Sequence, residues 1–310
     1  MILVLGATGF LGKTVCKKLK YNNIQFTPTS LSLGVDLRNE NETLDLFQEV
    51  KPEIVINCAS FVGGIQFGYK HPVELFQNNL RMVTSVLSAS HITGVKRFVN
   101  PVSNCVYPAD ATLFREDKIW DGAMHESVAV YGFVRKAFII GAYAYGKQFG
   151  DKIANIVLSN MYGPGDHFEE ERSHALGALI MKFAEAKEKG EPKVVVWGTG
   201  TPVREWLHVD DGAEALIKAI DMPFHAGPVN VGVGKGISIS EMAFLIRDLT
   251  GFEGTVEFDT TKQDGAKYKT VNGSLGEKLL GWKPQIEFVE GVKETIDWYK
   301  KSRQNGNAGI

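Results

Sequence analysis

The stretch AVYGFVRKAF, residues 129–138, places Tyr131 four residues before Arg135 and five before Lys136. Each residue of a helix turns about 100°, so Arg135 returns to within about 40° of Tyr131 whereas Lys136 lies about 140° away. Arg135 is therefore the cation expected to share a helix face with Tyr131, and Lys136 is expected to be a solvated surface cation. A phenol beside a cation gives up its proton more readily, and Tyr131 could then protonate a carbonyl oxygen as hydride arrives. Ordinary packing of an aromatic against a cation produces the same spacing, so the pair needs company. Ser103 supplies it, because PVSNCVYP follows a strand-like run and a hydroxyl at the carboxyl edge of a parallel sheet can hold the same oxygen. Cys105 is two residues further on, and an extended run would turn both side chains to one side and Asn104 to the other.

The second chemical signal is GATGFLG, with Gly6, Gly9 and Gly12 directly after an apolar strand-like run and at the start of a helix-period segment. Glycines at this spacing allow a tight turn, close approach of backbone to a pyrophosphate and close helix packing, while the helix N-terminus offers free N–H groups. Thr8, Phe10 and Leu11 complete the loop and are counted with the cofactor-binding residues, as are Leu37 and Ala59. NAD-selective sites carry an acidic residue at the end of the second strand for the ribose 2′-OH. Here that region reads TPTSLSLG, with Thr29, Ser30 and Ser32 and no carboxylate. The expectation leans to NADP(H), with NAD(H) possible because no arginine stands there either. Asp36 is placed to meet an adenine amino group, or else to serve as a loop or helix-capping aspartate.

The elements that must position these groups are read from short apolar runs alternating with helical-period segments. MILVLG at 1–6, IQFTPT at 24–29, EIVINCAS at 53–60, RFVNPV at 97–102 and IANIVLSN at 153–160 read as strands of a parallel sheet covered on both faces. Phe76, Leu80, Val83 and Leu87 read as one helix face. After residue 160 glycine and proline punctuate the chain, and helices are expected near 174–189, 211–221, 239–250 and 289–301. The fold class is α/β, a doubly wound parallel sheet of Rossmann type with a smaller C-terminal substrate-binding domain. The expected division is 1–165, completed by 206–232, for the dinucleotide, and 166–205 with 233–301 for the substrate, followed by a flexible tail at 302–310.

Composition narrows the function classes. The chain has 310 residues, 44% of them hydrophobic, and its 34 basic and 36 acidic residues leave a formal net charge of −2, which provides no electrostatic footprint for nucleic acid. Three cysteines in a chain of this size point to a reducing compartment, the cytoplasm. No segment is expected to reach the ~20 apolar residues of a membrane span. Asp210 and Asp211 read as the cap and first-turn charge of the helix that follows; no cluster completes a metal site, and no metal is expected.

A glycine loop followed downstream by Ser103, Tyr131 and a cation resembles the extended short-chain dehydrogenase/reductase family. Within it ASFVGGI (59–65), SNCVYP (103–108), NMYGPGDHF (160–168), SHALGALIMKF (173–183), GTGTPVREWLHVDD (198–211) and TKQDG (261–265) are similar, in order, to motifs of the GDP-L-fucose synthase branch. The resemblance implies an NAD(P)-dependent epimerase and/or C4-keto reductase of a nucleotide-linked 4-keto-6-deoxyhexose, with a nucleotide-diphosphate sugar as partner. It implies that Ser103 and Tyr131 serve reduction, that Cys105 and His174 exchange a proton beside the ketone, and that Asn79 belongs to the nicotinamide-side scaffold. Asn160, Lys182, Trp197, Arg204 and Lys269 fall where the branch holds its substrate. It implies a homodimer formed through helices near 73–93 and 128–149, the second rich in aromatics (Phe133, Phe138, Tyr143, Tyr145, Phe149). The sequence departs from the branch in having Arg135 where a lysine is usual, and Lys182 and Tyr268 in place of arginines. An arginine can clamp ribose hydroxyls but stays protonated, so it cannot relay a proton as lysine does. Two rival readings are a redox-neutral epimerase with tightly held NAD and a non-catalytic NADP-binding sensor.

Overall fold

The computed structural model describes residues 1–168 and 173–304. Its strands are β1 (Ile2–Leu5), β2 (Phe26–Thr29), β3 (Ile54–Asn57), β4 (Arg97–Ser103), β5 (Ile153–Leu158), β6 (Asn160–Tyr162), β7 (Lys193–Trp197), β8 (Val203–His208), β9 (Pro228–Val231), β10 (Gly236–Ser238), β11 (Thr255–Asp259) and β12 (Tyr268–Lys269). Its helices are α1 (Phe10–Tyr21), α2 (Glu40–Val50), α3 (Ile65–Lys70), α4 (Pro72–Ile92), α5 (Ala129–Phe149), α6 (Ala175–Lys189), α7 (Val209–Lys218), α8 (Ile239–Thr250), α9 (Ser274–Leu280) and α10 (Phe288–Gln304).

Six strands form one parallel sheet in the order β2-β1-β3-β4-β5-β9. Every residue of β1, β5 and β9 is buried, as a sheet covered on both faces requires. On one face α1 and α7 bury Leu11, Val15 and Leu216 against Val4 and Ile156; on the other α2, α4 and α5 bury Phe47, Val86 and Phe138 against Leu3 and Phe98. The strand order reverses at β1 and β3, so the crevice outside their carboxyl ends is where such a sheet takes a ligand. A second core, with Phe183, Ile246 and Ile296 at its centre, gathers α6, α8 and α10. Beside it β8 pairs with β6, β10 and β12, and β7 pairs with β11.

Five local expectations are corrected. The buried face of α4 runs through Leu75, Asn79, Val83, Val86 and Leu87, while Phe76 is exposed and stacks on Phe133. Phe138 is buried against Phe98 rather than displayed on the outer face of α5. Lys136 is half-buried over the Trp120 ring, 5.0 Å from its centroid, and burial lowers its pKa. The cap of α7 is His208, whose Nδ1 accepts from the Asp210 N–H; Asp210 and Asp211 are its first-turn charges. Finally, the helical stretch Glu126–Phe149 is long and apolar enough, by length and composition, to cross a membrane. It packs on α4 instead and buries Val134, Arg135, Phe138, Ile139 and Ala142, as a core helix does. Of the expected tail, 302–304 is helical, and 305–310 lies outside the described residues.

Candidate active site

The glycine loop is a cradle that side chains would fill. Gly6 has φ of +71°, and a Cβ there would stand 2.6 Å from the Ala59 nitrogen; at Gly12 it would stand 2.1 Å from the Gly6 carbonyl oxygen. Only glycine fits such close backbone approaches. Gly9 caps α1 with no side-chain hydrogen bond and no acidic residue follows in the first turn, leaving N–H groups for an anion. Phe10 and Leu11 open α1, and Leu37 is buried in the core beneath. The Thr8 hydroxyl donates to Ser30 Oγ at 3.0 Å and lies 2.9 Å from Ser32 Oγ, while Ser30 and Ser32 are 3.1 Å apart. Three mutually bonded hydroxyls thus stand at the end of β2. Asp36 is held by Arg38, Nη2 to Oδ2 at 2.6 Å, and this hydrogen bond keeps its carboxyl below the ordinary range. Asn39, not Asp36, caps α2.

Tyr131 and Arg135 share a face of α5, with the guanidinium 4.8 Å from the phenol ring centroid. The guanidinium reaches Ser60 and Asn79 rather than the phenol oxygen. Arg135 Nη2 donates to Ser60 Oγ and to Asn79 Oδ1, the latter at 3.1 Å, and Ser60 Oγ is 3.1 Å from the Tyr131 hydroxyl. Arg135 is 5% exposed, and its Nε is buried without a hydrogen-bond partner. A buried orphan donor is costly, and an acceptor such as a ribose hydroxyl would satisfy it. Asn79 holds the backbone beside Ser60 through the Phe61 N–H and C=O at 3.0 and 2.7 Å. The glycine loop, Ser60 and Ser103 thus follow three adjacent strands, β1, β3 and β4, at their carboxyl ends.

Ser103 ends β4, and its Oγ accepts from the Cys105 N–H at 3.3 Å, starting a 3-10 turn over Asn104–Val106. The expected extended run through Cys105 is corrected: a serine side chain bonding to the N–H two residues on turns the backbone instead. Cys105 is half-buried, and its carbonyl oxygen would lie 2.6 Å from a Cβ at Gly132. Gly132 therefore lets α5 seat Tyr131 close to this turn. His174 is exposed at the N-cap of α6; it and His167 oppose the burial that raises the pKa of the Asp166 carboxyl.

The remaining candidates fall in two groups, Asn160, Arg204 and Lys269 on β6, β8 and β12, and Lys182 with Trp197 on α6 and β7. Asn160 Nδ2 donates to the Glu205 carbonyl at 2.9 Å, Lys182 lies over the exposed Trp197 ring at 5.2 Å, and Lys262 stands 5.7 Å from the same ring. Arg204 and Lys269 are in register on neighbouring strands, and among the described residues neither has an ion pair. Arg204 Nη1 donates to the Val203 carbonyl at 2.8 Å, and burial lowers the pKa of the guanidinium while the Asp264 charge opposes that shift. Glu205, wholly buried, accepts from Ser159 Oγ and the Val233 N–H at 2.6 Å each and from the Val271 N–H at 2.8 Å. Ser60, Gly132 and Glu205 are not singled out by the sequence; a hydroxyl three residues past a strand end, a glycine after the key tyrosine and an acid within a strand are the available signals. Among the described residues no three His, Cys, Asp or Glu side chains come together as a metal site.

This constellation belongs to a nucleotide-dependent oxidoreductase or epimerase. Residues 2–232 match the model of the NAD dependent epimerase/dehydratase family, and the chain belongs to that family. It is 35% identical over 304 residues to GDP-L-fucose synthase 1 of Arabidopsis thaliana, covering 97% of this chain and 93% of the relative. A crystal structure described as a GDP-6-OMe-4-keto-L-xylo-heptose reductase from C. jejuni superposes with a TM-score of 0.91 at 25% identity, covering 97% of each chain. A GDP-L-fucose synthetase from Naegleria fowleri bound to NADP gives a TM-score of 0.87 at 28% identity, covering 99% of this chain and 95% of that one.

Proposed function

We propose that this protein is an NADPH-dependent enzyme that reduces the C4 ketone of a GDP-linked 4-keto-6-deoxyhexose and can epimerise the carbons beside it. The observation that carries the reading is the placement of the glycine loop, Ser60 with Tyr131, and Ser103 at the carboxyl ends of three adjacent strands. NADPH supplies the hydride when bound. Gly6, Gly9 and Gly12 admit its pyrophosphate, Thr8, Ser30 and Ser32 offer neutral donors toward a 2′-phosphate, and Arg135 Nε meets a ribose hydroxyl. Ser103 holds the sugar's carbonyl oxygen while Tyr131 delivers a proton to it. Arg204 and Lys269 take the diphosphate, with Trp197, Lys182 and Asn160 beside it.

Cys105 and His174 act on the hydrogens that the ketone acidifies, one as base and the other as acid. The relatives named as fucose synthases and heptose reductases support the substrate class. Residues 1–165 with 206–232 serve the cofactor, and 166–205 with 233–301 the substrate. The protein works as a homodimer in the cytoplasm, for which the free thiols of Cys16, Cys58 and Cys105 are suited. The outer face of α4 and α5, where Val73, Phe76, Phe133, Ile140 and Tyr143 are exposed, is the surface offered for pairing.

The test is incubation with NADPH and GDP-4-keto-6-deoxymannose in deuterium oxide. NADPH should be oxidised in step with ketone loss, and the product should carry deuterium at C3, C5 or both. Cys105→Ser should lose most of that exchange yet keep hydride transfer, because a serine hydroxyl is a far weaker base than a thiolate. Reduction without exchange would leave a plain ketoreductase; exchange without NADPH loss would mark a redox-neutral epimerase; no turnover of any sugar nucleotide would revive the sensor.

A further inference from the structure

We propose that Ser60 is a positioning residue for the Tyr131 phenol, linking the Arg135 charge to an oxygen that the guanidinium itself does not reach. This rests on the reading of Tyr131 as the proton donor. The contact of Arg135 with Tyr131 is to the ring face, 4.8 Å from its centroid, and the guanidinium hydrogen bonds go to Ser60 Oγ and Asn79 Oδ1. An arginine has donors only, so Ser60 accepts from Nη2 and keeps its own hydroxyl proton for another partner. That partner is the Tyr131 oxygen at 3.1 Å. A hydroxyl already accepting from a cation is a stronger donor, because hydrogen bonds in series polarise one another.

The geometry is held from two directions. Asn79, 1% exposed, fixes the peptide groups on either side of Phe61 and takes the same guanidinium nitrogen that bonds Ser60. It also donates to the Leu75 carbonyl at 2.7 Å, anchoring the arrangement to α4. Ser60, Arg135 and Asn79 are therefore one unit whose free end is the serine hydroxyl.

NADPH, when bound, would supply a hydride with its two electrons to the carbonyl carbon, and the Tyr131 proton passes to the carbonyl oxygen. The products are an alcohol, the oxidised nicotinamide and a phenolate. Ser60 donates its hydrogen bond to that phenolate until solvent water restores the proton. A compact ammonium could approach a phenol oxygen directly, whereas here the pairing of arginine with a serine hydroxyl does that work over two bonds.

The test compares Ser60→Ala, Ser60→Thr, Arg135→Ala and the Ser60→Ala/Arg135→Ala double variant, with Tyr131→Phe as control, in single turnovers with NADPH and GDP-4-keto-6-deoxymannose. Ser60→Ala should slow hydride transfer roughly 10- to 30-fold, the scale of one charge-assisted hydrogen bond, with NADPH affinity within about twofold of wild type. Ser60→Thr keeps the hydroxyl and should recover most of the rate. The double variant should be little worse than Arg135→Ala, since both changes cut one path. A second readout needs no substrate: acetylation of Tyr131 by N-acetylimidazole, followed by peptide mass spectrometry, should be several-fold slower in Ser60→Ala and restored in Ser60→Thr.

Wild-type rates in Ser60→Ala, or additive losses in the double variant, would overturn the Ser60 assignment while leaving Tyr131 in place. Full activity in Tyr131→Phe would instead overturn the parent reading. If the wild type does not turn over this sugar, unchanged acetylation in Ser60→Ala overturns the assignment and slowed acetylation upholds it.

Discussion

The two ends of the candidate site are built on opposite principles. At the cofactor end the shape is set by backbone: Gly6 and Gly12 sit where any Cβ would strike main-chain atoms, and Asn79 pins the peptide groups around Phe61. At the substrate end it is set by charge: Arg204 and Lys269 stand in register, with Lys182 over the exposed Trp197. A backbone cradle tolerates almost no substitution, whereas a cluster of cations can exchange members and still hold an anion. Behind the charged end Glu205 ties loop and strand together, since its buried carboxylate accepts from Ser159, Val233 and Val271 while its main-chain oxygen takes Asn160.

The contrast can be broken most severely at Gly12. Gly12→Ala places a Cβ 2.1 Å from the Gly6 oxygen and should weaken NADPH binding by roughly a hundredfold or more, the scale of a severe backbone conflict. Retention of NADPH in a calorimetric titration would contradict a cradle set by backbone. Next is Glu205→Gln, in which an amide NH₂ must face at least one of the donors now satisfied. A loss of ~2–3 kcal/mol in stability, read from denaturant unfolding, is expected.

Arg204→Ala should raise KM for the nucleotide sugar about tenfold or more, with NADPH affinity unchanged, because a guanidinium–phosphate hydrogen bond is lost at one end only. Coupled losses at both ends would mean that the two regions are not independent. The smallest effect belongs to Ser32→Ala, which removes one exposed neutral donor from the hydroxyl triad. About a threefold loss for NADPH and none for NADH should appear in parallel titrations. An equal loss for both nucleotides would remove the triad from 2′-phosphate recognition.

What was legible in the sequence follows the same division. The glycine loop and the Tyr131–Arg135 pair were readable because both are local: one depends on a strand meeting a helix, the other on a rotation of about 100° per residue. Ser60 was not, since it meets Tyr131 and Arg135 across 71 and 75 residues of chain, and only the docking of α5 against the end of β3 brings them together. Cys105 was misread as extended because the period of two cannot register a serine that bonds its own backbone. Phe76 was misplaced because Leu75 and Phe76 both start apolar series at helical spacing, and packing of α4 against the sheet chose the first. The register of Arg204 with Lys269 depends on strand pairing that no spacing reveals.

Helix α5 carries a mechanical consequence. Tyr131 and Arg135 point inward at one end of it, Gly132 presses on the Cys105 turn, and Phe133, Ile140 and Tyr143 face outward along the same rod. The helix is unbroken for 21 residues, about 30 Å at 1.5 Å per residue, and an uninterrupted helix resists bending over that length. One continuous element therefore carries both the phenol and the exposed apolar face. A displacement of about 1 Å is enough to misalign a proton donor. The placement of the proton donor and the shape of the outer face are thus set by the same 21 residues.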